Sequence, residues 1–328
     1  MRDRDSARVW AHSGGVRLVV GSAVAVVMLL VTAMPALGKE AKPKPKPDLV
    51  VTAATLKGNS YTFWREKEPI SVEDVTKNTG TRRAGPTLTR VYLVHGDKQW
   101  LLLQRPVPAL GPGKEHQDEG SSDPFAVQNY PIGAYTLKIC ADGKHQVDES
   151  NESNCRKMLP RHFFVIPRGW VGTMSGIETA GGITNRWQVP KAQLQFDQFE
   201  PGGVVSYLFT GTVTWSSSGT AADGCAVTGS GSRSYDNDDS IGALSVDYLH
   251  ETYTASLQDT SGPPYQVTFS GCDHPPPSQP GPYEPTFWLP SVASTVALPF
   301  GSKSLPGSPA QNPFGATYTW SLLAAHAL

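Results

Sequence analysis

Cys140-Ala-Asp-Gly-Lys-His-Gln-Val-Asp-Glu-Ser-Asn-Glu-Ser-Asn-Cys155 is the stretch that decides how the first half of this 328-residue chain folds. Before it, Tyr135, Leu137 and Ile139 alternate with Thr136 and Lys138, a period-two pattern entered through a turn at Pro131–Gly133. Two cysteines at the ends of a short polar loop after a strand read as a local disulfide. Between them Asp142, Asp148, Glu149 and Glu152 crowd acidic oxygens into a segment with too little apolar content to pack by itself.

Working outward, Asp48-Leu-Val-Val51 opens a strand, and Ile70, Val72, Asp74 and Thr76 form one face of another that ends in the turn Asn78-Thr79-Gly80. Asp74 stands where an apolar residue is expected. Leu88–Val94 is a further strand, whereas Pro106–Pro124, with three Gly, four Pro and mixed charge, reads as a surface loop of the kind that carries function. Residues 48–166 thus make a unit of sandwich size. The closing run, with Asp142, Val147, Glu149, Asn151, Glu152 and Asn154, resembles the last strands of the cell-adhesion-related domain found in bacteria, the CARDB family. In that family the pattern is Asp…Asn-x-Val-x-Glu-x-Asn-Glu-x-Asn, and His145 stands here in place of its first Asn. The opening Pro47-Asp-Leu-Val50 and the Asn78-x-Gly80 turn are similar to the family as well. The resemblance implies an immunoglobulin-like β-sandwich and implies no particular partner.

Residues 170–328 show no helix periodicity and resemble no family. Runs at Gln193–Phe199, Val204–Trp215, Ala226–Gly229, Ala243–Val246, Tyr253–Leu257, Tyr265–Ser270, Val292–Leu298 and Thr317–Leu323 are short, rich in Thr, Val and aromatics, and divided by Gly, Pro, Ser and Asp. The expectation is all-β: an immunoglobulin-like sandwich followed by a second antiparallel sandwich or small barrel. Pro275–Pro282 and Leu305–Pro313 are too proline-rich for strands.

At the N-terminus Arg2, Arg4, Arg8 and Arg17 precede the apolar run Leu18–Ala33, and Ala36-Leu-Gly38 offers small residues for cleavage, so residues 1–38 read as a signal peptide. An uncleaved anchor is the rival reading, although the run is shorter than the ~20 residues that span a bilayer. Lys39–Pro47 alternates Lys and Pro and reads as an extended linker, with contact to an anionic wall as its functional alternative. Without residues 1–38 the chain keeps 24 Lys and Arg against 27 Asp and Glu, no footprint for nucleic acid or anionic lipid. The closing run Leu322–Leu328 is too short for a membrane span.

Four cysteines behind a signal peptide, two in each proposed domain, favour Cys140–Cys155 and Cys225–Cys272. In the chain-entropy model the first bridge contributes about 3 kcal/mol and the second about 4. Close Cys-x-x-Cys pairs for zinc are absent, as are the common hydrolase, nucleotide and dinucleotide motifs. Asp142, Asp148, Glu149 and Glu152, and separately Asp236-Asn-Asp-Asp239, offer hard oxygens for calcium, but neither fits the twelve-residue calcium loop. The preferred reading makes them loop acids that cap backbone amides. Trp187, Trp215, Trp288 and Trp320 fit either a sugar-stacking platform or, preferably, a core. The function expected is secreted, non-catalytic binding or adhesion to an extracellular protein or polysaccharide. A hydrolase with its site in residues 170–328 and a structural envelope component are the alternatives.

Overall fold

The computed structural model describes residues 44–57, 63–64, 69–123, 129–158, 162–200, 202–259, 267–273, 287–289, 295–305 and 317–325. The signal-peptide reading of residues 1–38, most of the Lys/Pro linker and the two proline-rich loops, apart from Leu305, therefore lie outside the described residues. The chain is all-β, with no α-helix among the described residues. Residues 45–328 form one compact unit.

The described residues of the first half include nine strands: β1 (Leu49–Lys57), β2 (Phe63–Trp64), β3 (Ser71–Asn78), β4 (Thr87–His95), β5 (Lys98–Val107), β6 (Glu115–Ser121), β7 (Gly133–Cys140), β8 (Arg156–Lys157) and β9 (Phe163–Val165). They make a three-stranded sheet, β1-β3-β6, and a facing sheet, β2-β9-β7-β4-β5, with β8 added to β7. Alternate residues point inward, so Leu49, Val51, Val72, Val91, Leu93, Leu137 and Ile139 meet in one core.

Two features depart from simple alternation. The stretch read as the loop Pro106–Pro124 contains β6, which pairs along the length of β3 from Ser71–Ser121 to Lys77–Glu115. Its sequence, Glu-His-Gln-Asp-Glu-Gly-Ser, has no apolar face because it is an edge strand held by backbone pairing and by contacts such as the Lys77–Glu115 ion pair at 2.7 Å. Asp74 is buried and forms an ion pair with buried Arg105 of β5, bridging the two sheets. The Arg105 guanidinium also donates to the backbone carbonyl oxygens of Val72 and Asp118. Gly120 makes room for this arm, since a Cβ there would lie 2.6 Å from Arg105 Cδ. Beside it Thr76 shares a 3.0 Å hydroxyl contact with Thr89.

The second half adds β10 (Gly169–Ala180), β11 (Ile183–Glu200), β12 (Val204–Thr220), β13 (Ala226–Asp247), β14 (Thr252–Asp259), β15 (Val267–Ser270), β16 (Phe287–Leu289), β17 (Val296–Ala297), β18 (Ser304–Leu305) and β19 (Thr317–Ala325). All join one antiparallel sheet in the order β16-β14-β13-β12-β11-β10-β19-β18, with β15 on β13 and β17 on β14. The sheet curls into a half-barrel. Its strands are far longer than the short runs expected, because Ser216–Thr220 and Gly229–Ser232 continue strands instead of turning them. Asp236–Asp239 lies within β13 at a ladder irregularity, where Phe209 pairs with Asp238 and the next pair is Leu208 with Ala243. Asn237 there has φ 51°. The Cys225–Cys272 bridge closes the pairing of β13 with β15 just beyond Ala226–Ser270.

Strand β9 serves two cores at once. Phe163 and Val165 point into the sandwich, while Phe164 and Ile166 point into the core of the large sheet with Trp170, Tyr207 and Val246. Tyr135 and Ala134 divide in the same way. The Phe300 ring of the second half stacks on His95 at 3.7 Å and meets Tyr135 edge-on at 5.2 Å.

Candidate functional site

The disulfide-closed hairpin is built from its strands inward. β7 delivers Cys140, the bridge to Cys155 holds the two Cα atoms 4.3 Å apart, and β8 leaves by pairing back on β7 through Ile139–Arg156 and Lys138–Lys157. Asp142 and His145 take positive φ, 45° and 51°, a region that short polar side chains tolerate by bonding locally. The Asp142 carboxylate, 2% exposed, accepts from the amides of Gln146 at 2.9 Å and Val147 at 2.7 Å and from the Thr87 hydroxyl. Val147 is thereby turned against the sandwich core.

Beyond Val147 the hairpin faces the chain leading into β1. Lys46 Nζ pairs with Asp148 at 2.6 Å, the Ser150 amide donates to Pro47 O at 2.9 Å, and Asn154 Nδ2 donates to Asp48 Oδ1 at 3.0 Å. The Leu49 amide donates to Glu149 Oε1 at 3.1 Å. Glu149's own amide donates to Glu152 Oε1 at 2.8 Å, and Glu152 also holds His145 at 2.8 Å. Asn151 accepts from the Ser153 amide. Burial pushes the Glu149 carboxyl up to about 7, helped by the charges of Asp142, Glu152 and Asp48 and opposed by the Leu49 hydrogen bond. The Glu149 amide and His145 hold Glu152 below the usual carboxylate range, and Glu152 in turn raises His145. The four acids weighed as calcium ligands are thus directed to separate partners. Among the described residues no group of three or more His, Cys, Asp or Glu is placed to hold a metal ion.

Residues 46–157 match the CARDB family model. This span runs from Lys46, which pairs with the hairpin, to the end of β8. Two solved structures similar to this chain are a crystal structure and a solution structure of the CARDB domain of a Pyrococcus furiosus protein. Each is 24% identical and covers 37% of this chain, with 90% and 96% of the domain covered and TM-scores of 0.26 and 0.25. The crystal structure is described as a complex with di-metal ions. A β-glucosidase from Listeria innocua, in complex with glucose, is 13% identical over 36% of this chain and 16% of its own, with a TM-score of 0.25. No curated protein matches the chain.

Outside the CARDB segment, the large sheet places the aromatic candidates inward. Trp187 and Trp215 are each 7% exposed, neighbours across β11 and β12, and belong to the core. Each covers a glycine of the next strand: a Cβ on Gly176 would lie 2.4 Å from the Trp187 ring, and one on Gly231 would lie 2.8 Å from that of Trp215. Trp187 reaches past Gly176 to Tyr318, centroid to centroid 5.9 Å. Trp320 packs partly buried against the same core, and the Trp288 side chain lies outside the described residues. Trp187 and Trp215 therefore belong to the core while also lining a cleft, and Trp320 lies at the edge of that core.

The opposite face of these strands carries what the sequence reading missed. Register pairs give one row Thr319, Ser175, Gln188, Thr214, Ser232, a second row Thr317, Ile177, Arg186, Ser216, Ser230, and a third row Thr179, Thr184, Ser218, Thr228. Eleven of these fourteen positions are hydroxyls, and a cleft of about 530 Å³ lies over the first two rows from β19 to β12, lined also by Trp187 and Trp215 and with Arg186 as its one described ionisable lining residue. The signal was present as strict alternation in Thr210-Gly-Thr-Val-Thr-Trp-Ser216 and Thr228-Gly-Ser-Gly-Ser-Arg-Ser234. A second cleft of about 440 Å³ adjoins the hairpin and is lined by Tyr92, Lys138, Lys157, Glu149 and Glu152 among others.

Proposed function

We propose that this protein is a non-catalytic binding module of the cell exterior, whose contact face is the hydroxyl-lined outer side of the large sheet and whose partner is a polyhydroxylated polymer such as a wall polysaccharide. The observation that carries this reading is the three-row lattice of Ser and Thr side chains on strands β19, β10, β11, β12 and β13. Neighbouring strands stand about 4.8 Å apart and same-face residues about 6.7 Å apart along a strand, so the lattice presents donors and acceptors at a fixed spacing. Such a surface exchanges hydrogen bonds with another hydroxylated surface at little ordering cost, because short side chains on a paired sheet have few rotamers to lose.

Export is supported by two disulfides, which persist in oxidising compartments. The CARDB match supports an adhesion-like, non-catalytic role for the first half. The hydrolase alternative would place an acid–base pair in a cleft of the second half, whereas the described lining of the 530 Å³ cleft supplies Arg186 and no carboxylate. Depletion of the full chain from solution by insoluble cellulose, chitin and purified bacterial cell wall tests the proposal. Retention on one of them is expected, with at least a tenfold loss for Ser216→Glu with Ser230→Glu. No retention on any polymer, or unchanged retention by the double variant, would overturn it.

A further inference from the structure

The residues that close the hairpin also hold the chain that enters the sandwich. Residues 45–49 run as a strap between two elements. On one side lie Asp148, Glu149, Ser150 and Asn154 of the hairpin, bonded to Lys46, Leu49, Pro47 and Asp48 in turn. On the other side is the Asn78–Gly80 turn. The Asp48 amide donates to Asn78 Oδ1 at 3.2 Å, the Thr79 amide and hydroxyl donate to Asp48, and the Thr81 amide donates to Lys46 O at 3.1 Å. The strap passes so close to Gly80 that a Cβ there would lie 2.5 Å from Lys46 O and Asp48 N. Pro47 is buried in the middle of the strap.

We propose that the hairpin and the Asn78–Gly80 turn form a clasp that locks the N-terminal strap onto the sandwich, and that the lock loosens as pH rises, with Glu149 as the group that titrates. The geometry places one carboxyl, 5% exposed, against the first amide of β1 in an acidic setting. The hairpin contributes Asp142, Asp148, Glu152 and His145, the strap Asp48 and Lys46, and the strands lining the adjoining cleft Lys138 and Lys157. Of the cations on the hairpin and strap, His145 is paired with Glu152 and Lys46 with Asp148, and Lys144 is an exposed residue of the hairpin turn. Ionised Glu149 is therefore left among like charges inside the clasp and gains water when the strap lifts away.

The sign follows. In the clasped state the carboxyl is raised from its ordinary 4.5 to about 7, chiefly by burial. Below pH 4.5 it is protonated whether the strap is held or released, and the lock has its full strength. Between 4.5 and 7 the released state ionises while the clasped state keeps its proton, so release becomes easier with each unit of pH. Above 7 both states are ionised and the effect levels off.

Native-state hydrogen exchange on the full chain tests this at the amides of Leu49, Thr79, Thr81 and Ser150, at pH 5 and pH 8 after correction for intrinsic exchange. Strap opening is expected to be at least tenfold more populated at pH 8, while the core amide of Val91 keeps one protection at both. Glu149→Gln, which cannot ionise, should abolish the pH difference, and His145→Gln should retain it. Asn154→Ala is expected to raise strap exchange by the same factor at both pH values, a check that does not depend on the Glu149 variant folding. Equal opening at pH 5 and 8 in the wild type, persistence of the difference in Glu149→Gln, or parallel exchange at Val91 would each overturn the proposal.

Discussion

The two halves of the molecule place their polar residues on opposite sides of their sheets. The sandwich carries Asp74, Thr76, Thr89 and Arg105 inside, between its layers, whereas the large sheet buries mainly rings and aliphatic side chains, with the paired Tyr207 and Tyr248 hydroxyls among them, and turns most of its Ser and Thr rows outward. A buried ion pair is weak evidence for stability, because desolvation offsets most of the attraction, but it fixes how two sheets register against each other. The large sheet has no charged residue among its buried described residues, and so no such pin. Its long strands are set in register by the aromatic rings that cover glycines on adjacent strands, Trp187 over Gly176 and Trp215 over Gly231.

The largest effect expected from breaking this contrast is at the buried pair. Asp74→Ala leaves the Arg105 charge buried without its partner and should lower the stability of the chain by about 3–5 kcal/mol in denaturant titration. Asp74→Leu with Arg105→Met should recover most of the loss, since the pair is replaced by apolar groups instead of being halved. If the double variant is as unstable as the single one, the pair is a net source of stability and the contrast with the second core disappears.

A smaller loss, about 1–3 kcal/mol, is expected for Gly176→Val in the large sheet, because its side chain enters space held by the Trp187 ring. Gly176→Val together with Trp187→Leu should be less destabilised than the sum of the two single variants, as the ring that causes the clash is gone. Additive losses would mean that the glycine is needed for its backbone and that the covering ring is incidental.

The hairpin and β7 were legible in the sequence because their determinants are local: alternation, a loop-end cysteine pair, and side chains that bond backbone amides a few residues away. The same locality explains why Asp74 stood out as an anomaly while its partner, 31 positions further along in β5, did not. Strand β6 has no local signature, since an edge strand held by ladder bonds and charged side chains shows no apolar face. The long strands of the second half were cut short at Ser and Gly. Those residues signal turns locally, whereas the pairing that keeps them in strands, and the Trp215 ring that covers Gly231, come from neighbouring strands. Likewise, the strap residues Lys46, Pro47 and Asp48 lie about a hundred positions before the hairpin that holds them. Neither core is confined to one stretch of sequence: Ile132 and Ala134 join the second, Phe300 packs against the first, and β9 faces both, with Phe163 and Val165 one way and Phe164 and the following Ile166 the other.

The smallest effect concerns the outer lattice, and it is the one that bears on function. Ser216 and Ser230 face each other across β12 and β13 on the exposed side. If the hydroxyls are there for a partner, Ser216→Ala and Ser230→Ala should each change stability by less than about 0.5 kcal/mol, as exposed positions away from caps and strained backbone usually do. The inward neighbour Val213, fully buried in the same strand, supplies the scale: Val213→Ala should lower stability by about 1–3 kcal/mol through lost burial and the cavity left behind. Thermal and urea unfolding of the three variants in the full chain measure both numbers. Losses above about 1 kcal/mol for the serines would show that the hydroxyl rows stabilise the sheet itself, and the face would no longer be free to serve a bound polymer.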